Sequence, residues 1–144
     1  MSSRFALSLA VALLATPLLC SQTLAQDYPT RPVRIIVPFG AGGPADVTAR
    51  LIGNSLQQGL GQPFVIENHT GAGGVIGTLE AVRSAPDGYT LLMISNAQTT
   101  NESLAPQRKY ELMRDLVPIA PIKKNENAQF FIQRRPDMTP VDRE

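Results

Sequence analysis

The stretch that most constrains how this chain can fold is Val33-Arg34-Ile35-Ile36-Val37-Pro38-Phe39-Gly40-Ala41-Gly42-Gly43-Pro44-Ala45-Asp46. It reads as a β-branched strand, a glycine-rich turn and the start of a helix. The helix is announced by Ala45, Ala49, Ile52, Leu56 and Leu60, which recur at steps of 4, 3, 4 and 4 on one face. Pro44 suits a first helical position and Asp46 a first turn, whereas Gly59 and Gly61 should stop the helix near Leu60. Val33 to Val37 is almost wholly apolar, as expected of a strand covered on both faces. Three glycines within four positions let the backbone turn sharply and approach a ligand with no Cβ in the way. The amides of that turn and of the new helix converge on one spot and favour an anion there.

Residues 63 to 77 repeat the pattern, with Pro63 to Glu67 as strand, Gly71-Ala72-Gly73-Gly74 as turn and a helix from Val75 to Ser84. That helix should present Val75, Ile76, Leu79 and Val82 on one side. Pro86-Asp87-Gly88 signals a turn, and Thr90 to Ile94 a third strand running into the polar segment Ser95 to Asn101, read as a loop. Strands alternating with helices across short turns predict a parallel sheet, with all three post-strand loops on one edge. Beyond residue 104 the spacing predicts a polar connection with one helical turn at Tyr110 to Arg114. Two more strands follow at Leu116 to Ala120 and Gln129 to Ile132.

The candidate ligand contacts follow from those loops. The first cradle is Phe39, Gly40, Ala41, Gly42 and Gly43, and the second is Gly71, Ala72, Gly73 and Gly74. Asp46 either touches a ligand or simply favours the helix dipole, and Ser95, Asn96 and Thr99 either donate to a polar solute or form a solvated loop. Gly40 to Ala45 also fits the loose G-x-G-x-x-[GA] pattern of dinucleotide-binding turns, so a Rossmann-like nucleotide-binding enzyme is an alternative. Pro38-Phe39 widens that turn, however, and Glu67, which ends the second strand as a ribose ligand would, fits a buried cap or turn anchor equally well. A vestigial product without a ligand is a further alternative. No nucleophile is paired with a base, and no Gly-Lys-Ser/Thr completes a P-loop, which favours binding over turnover. His69 is the only histidine and reads as structural or exposed, without an acidic partner arranged for catalysis. No cofactor is indicated, and a transition-metal site is not expected.

Residues 1 to 25 have the pattern of a secretory signal. Arg4 gives a positive start, Phe5 to Cys20 is apolar or small, and Thr23-Leu24-Ala25 offers small residues at a cleavage site. Leu18-Leu19 precede Cys20 where a lipid-attachment signal would have a small residue, so Cys20 is expected to leave with the signal. Removing residues 1 to 25 takes away Arg4, one of 13 basic residues against 12 acidic ones, and leaves a formal net charge of zero. Near-neutral charge without a basic, aromatic-interleaved cluster gives no basis for a nucleic-acid partner. A charged fraction of 17% with 43% hydrophobic residues suits a globular domain.

Tyr28 to Phe39, with Ala41-Gly42-Gly43 and Asp46, closely resembles the start of the tripartite tricarboxylate transporter substrate-binding proteins, the Bug family. Leu60-Gly61-Gln62-Pro63, Glu67-Asn68, Gly71 to Gly74, Ile76-Gly77 and Ala85 to Leu91 continue the match in order, followed by Asn101, Leu104, Tyr110 and Asp115 to Pro118. His69-Thr70 stands where the family usually has Arg-Pro, Asn101-Glu102 where Asn-Pro is common, and Arg108-Lys109 before Tyr110 where Leu-Pro is usual. The resemblance implies a periplasmic, two-lobed α/β protein that closes on a small carboxylate and delivers it to membrane permease subunits. The solute's carboxylate is then held mostly by backbone amides, hydroxyls and ordered water. On this reading the chain is α/β, an incomplete parallel-sheet lobe of a type II periplasmic-binding-protein-like fold. Residues 1–25 are the signal, 26–133 a partial lobe one, and 134–144 a crossover towards a second lobe. The resemblance also implies that lobe one is completed by chain returning from the C-terminal end; the signal pattern itself predicts cleavage after Ala25 and release into the periplasm.

Overall fold

A computed structural model describes residues 28–104, 109–123 and 129–134, together with Pro136. The signal segment 1–25 with Cys20, the start of the lead-in, and the crossover at 135 and 137–144 lie outside the described residues. The elements run β1 (Val33–Val37), α1 (Pro44–Leu60), β2 (Phe64–Asn68), a 3-10 turn (Ala72–Gly74), α2 (Val75–Arg83), β3 (Thr90–Ser95), α3 (Asn96–Leu104), α4 (Leu112–Asp115), β4 (Leu116–Lys123) and β5 (Gln129–Arg134). Among the described residues, no helix is long and apolar enough to cross a membrane.

One five-stranded sheet has the order β2-β1-β3-β5-β4. β1 pairs in parallel with β2 (Ile35 opposite Ile66) and with β3 (Ile35 opposite Leu91), as the strand-turn-helix repeat requires. β5 runs antiparallel to both β3 and β4, so the expected parallel sheet is in fact mixed. The cause is the connection: only residues 124–128 separate β4 from β5, too few for a parallel crossover. β4 carries Pro118 and Pro121, which cannot donate to a ladder, and it accordingly lies at the sheet edge with its register broken near both.

The central strand is sealed on both sides, with Val33, Ile35, Ile36 and Val37 all fully buried. Val33, Ile35 and Val37 face α1, where Ala45 and Ala49 are buried and Ile52 and Leu56 pack at the margin. Ile36 and Leu92 face the other way, with Ala81, Val75, Leu79 and Val82 of α2 and with Tyr110, Leu112, Leu116 and Ile132. The two crossover helices therefore lie on opposite faces of the sheet. Since β2 and β3 flank β1, this makes the carboxyl ends of β1 and β3 a topological switch point, where such sheets leave a crevice.

Helix α1 matches its expected span, but Gly59 stays inside it. Gly61 alone ends it, at φ 72° with its amide bonded to the Gln57 carbonyl. Ile76, expected on the buried face of α2, is instead half exposed, and a Cβ placed on Gly71 would come within 2.5 Å of its Cδ1. Gly77 and Thr78 are the buried residues of that turn of α2, because the helix comes so close to Pro38 that a Cβ at Gly77 would stand 3.0 Å from it. The segment Ser95 to Asn101, read as a loop, is the end of β3 and most of helix α3. Ser, Thr and Asn give no apolar period and compete for backbone bonds. Here the Thr99 and Thr100 hydroxyls donate back to the Asn96 carbonyl, within a helix that lacks the usual pattern.

Candidate functional site

The first glycine turn is built outward from Asp46. Its carboxylate, almost fully buried, accepts from the Gly42 amide at 2.8 Å and from Arg50 Nε at 3.0 Å through one oxygen. The other oxygen accepts from Asn68 Nδ2 at 3.0 Å and faces Arg50 Nη2 at 2.9 Å. Arg50 and the Gly42 amide hold the Asp46 carboxyl at a pKa of about 2 against the burial that opposes them. Asn68, at the end of β2, also donates to the Phe39 carbonyl at 3.1 Å. Asp46 thus points into the scaffold behind the turn rather than outward, and Gly40, Ala41 and Gly42 are left exposed in front of it. No side chain caps the N-terminus of α1, where Gly43 is the N-cap.

The second turn has an unusual backbone. Gly71, Ala72, Gly73 and Gly74 all have positive φ, at 128°, 46°, 65° and 94°, and Ala72 is the one non-glycine residue with positive φ among those described. Strain of this kind costs on the order of 1–3 kcal/mol and clusters where a loop must present its amides in a fixed way. Successive amides in such a conformation form a concavity suited to an anion. Gly71, Ala72 and Gly73 are exposed and Gly74 is buried; again no side chain caps the helix that follows.

The third segment meets the other two through Gln98, which inspection of the sequence passes over. Its side chain is fully buried, and its Oε1 accepts from the Ser95 amide at 2.8 Å and the Ser95 hydroxyl at 3.2 Å. A Cβ on Gly74 would lie 2.7 Å from Gln98 Nε2 and 3.4 Å from Pro38 Cβ. Pro38 after β1, Gly74 before α2 and Gln98 after β3 therefore converge. Ser95 is half-buried at this junction, while Asn96 and Thr99 are exposed and the Thr99 hydroxyl is engaged with its own helix.

His69 is structural, one of the two expected readings, but with acidic groups around it. Its ring nitrogens lie 2.7 Å from Glu80 and 3.2 Å from Glu67. Arg34 donates to Glu67 through Nε at 2.9 Å and Nη2 at 2.6 Å, and to Glu80 at 2.8 Å. Glu67, His69 and Glu80 offer ligand atoms within 4.8 Å of one another, a spacing that could take a metal ion. Arg34 already fills that space with positive charge and holds the Glu67 carboxyl below its usual range. The group ties β1, β2 and α2 together below the second turn.

A family model described as the tripartite tricarboxylate transporter family receptor matches residues 48–138. Protein BugT of Bordetella pertussis is 46% identical over 109 residues, covering 74% of this chain and 33% of BugT. The solved periplasmic binding protein BugD superposes with a TM-score of 0.63 at 44% identity, over 65% of this chain and 31% of BugD. MatC from Rhodopseudomonas palustris, solved with bound malate, gives 0.62 at 39% identity, over 65% of this chain and 32% of MatC. The chain thus spans about one third of the length of these relatives. This chain belongs to the tripartite tricarboxylate transporter receptor family.

Proposed function

We propose that this chain forms one wall of a periplasmic receptor for a small carboxylate, and that it holds the carboxylate through backbone amides. The observation that carries this reading is the pair of uncapped helix N-termini, each behind an exposed glycine turn, at the carboxyl ends of the neighbouring parallel strands β1 and β2. Each leaves amide hydrogens and the positive end of a helix dipole facing outward. The contacts are backbone amides of the Phe39 to Gly43 and Gly71 to Gly74 turns other than those of Gly42, Gly43 and Gly74, which are bonded within the turns, with Ser95, Asn96 and Thr99 at the rim and Asp46 acting through Gly42. The malate in MatC is a ligand of the same chemistry. A nucleotide is disfavoured because neither turn carries a lysine for a phosphate chain. The delivery partner on this reading is the membrane permease of the transporter.

Saturation-transfer NMR with malate, a longer aliphatic dicarboxylate, an aromatic acid and a nicotinamide dinucleotide tests the ligand class. The aliphatic carboxylates are expected to give the signal. A dinucleotide that displaces them would replace this reading with that of a nucleotide-binding enzyme. Export is proposed on the Arg4 start, the apolar run and Thr23-Leu24-Ala25. The intact mass of the periplasmic protein should correspond to a chain starting at Gln26, and a lipidated Cys20 or a retained Met1 would contradict it.

A further inference from the structure

Gln98 carries a polar group that neither the fold nor the backbone cradle uses. The orientation of its carboxamide is fixed by chemistry: the Ser95 amide can only donate, so the atom 2.8 Å from it must be the oxygen. The nitrogen then faces the opposite way, buried and without a hydrogen-bond partner. That way lies Gly74, close enough that a Cβ there would clash with Nε2 at 2.7 Å. Buried donors are nearly always met, and an exception calls for a physical reason. Service to Ser95 accounts for the oxygen of Gln98, but not for a nitrogen placed at the junction of the three post-strand segments.

We infer that Gln98 is a solute-binding residue, whose Nε2 donates to a carboxylate oxygen seated on the second glycine turn. The inference rests on the carboxylate reading above and names a side chain that the reading did not include. A carboxylate oxygen is purely an acceptor, so it suits a donor with no lone pair of its own. The approach runs past Gly74, and the turn in front of it, Gly71 to Gly74, has no side chain larger than a methyl. Its four successive positive-φ residues present backbone and little else, and Gly74 at its end is the residue that stands against Nε2. The position also ties binding to the β3 end: a solute that engages Nε2 engages the group that holds the Ser95 amide and hydroxyl.

The test is a titration of the isotopically labelled full chain with malate, following the Gln98 side-chain NH2 signal, which is assigned by its absence in Gln98→Glu. The signal is expected to move together with the backbone amides of Gly71 to Gly74. Gln98→Glu keeps an oxygen for Ser95 and removes the donor, and is expected to weaken malate binding about tenfold or more. Gln98→Met, a neutral variant of similar length, should weaken it likewise, so the result does not depend on burying a carboxylate. If the glycine amides move while the Gln98 NH2 signal stays still, the nitrogen serves no solute and this inference falls alone. If neither moves, the carboxylate reading falls with it.

Discussion

Replacing Asp46 with alanine is expected to lower the melting temperature by roughly 10–20 °C, a loss of about 2–4 kcal/mol. Four donor contacts end on this one nearly buried carboxylate: the Gly42 amide, the Asn68 amide and two from Arg50. Truncation leaves the Gly42 and Asn68 donors unmet, and each such loss costs about 1–3 kcal/mol when the group stays dry. Arg50 is half exposed and recovers water, so the ion pair itself contributes at the low end. The Gly42 amide should also lose its protection from hydrogen exchange, because the first turn loses its inner anchor. Asp46→Asn isolates the charge. The folded carboxyl titrates at about 2 against an ordinary 3.8, so its contribution is complete above about pH 4 and disappears as the pH falls towards 2. Thermal melts across that window should therefore show a shallower acid slope for Asp46→Asn than for the unmodified chain. An unchanged slope and melting point would mean that Asp46 does not hold the turn.

Binding by this chain alone is expected to be millimolar at best. Each amide-to-carboxylate bond that stays hydrated nets about 0.5–1.5 kcal/mol, so two to four give roughly 1–6 kcal/mol. Association itself costs about 4 kcal/mol or more in lost translational and rotational freedom. A receptor that closes a second wall over its solute excludes water and strengthens every such contact. The chain covers about a third of its relatives, and on the proposed reading it supplies one wall. The same residues leave an apolar groove of about 510 Å³ between α1 and the β4–β5 side of the sheet, lined by Ile52, Leu56, Phe64, Leu91, Ile119 and Phe131. With Ile119 and Leu60 about half exposed beside it, the groove should take up a hydrophobic dye such as ANS, and the isolated chain should aggregate as it unfolds.

How far the fold was legible in the sequence follows from where apolar periodicity is strong. β1 and α1 announce themselves through Val33 to Val37 and the Ala45–Leu60 face, and both stand as expected. The second turn was legible because Gly71, Gly73 and Gly74 take the positive φ that glycine permits. α3 was not, because Asn96 to Asn101 carry mostly polar side chains that leave no hydrophobic stripe. The antiparallel β5 was hidden because strand direction is set by the length of a connection and not by the strand's own residues. Of the site, the exposed glycines could be read directly. The groups that hold them in place could not. Asn68 reaches Asp46 from a separate strand, although Arg50 stands one turn along the same helix, and a lone glutamine in a polar run gives no hint that it will be the buried one. His69 likewise met Glu80 only once β2 and α2 were packed together, whereas Glu67 stands two residues before it.

The most direct measurement of the carboxylate cradle is an amide-resolved titration of the nitrogen-labelled chain with malate. Shifts confined to Phe39 through Gly43, Gly71 through Gly74 and the end of β3, saturating in the millimolar range, are the predicted result. Micromolar saturation, or shifts centred on the apolar groove with the two glycine turns silent, would contradict it.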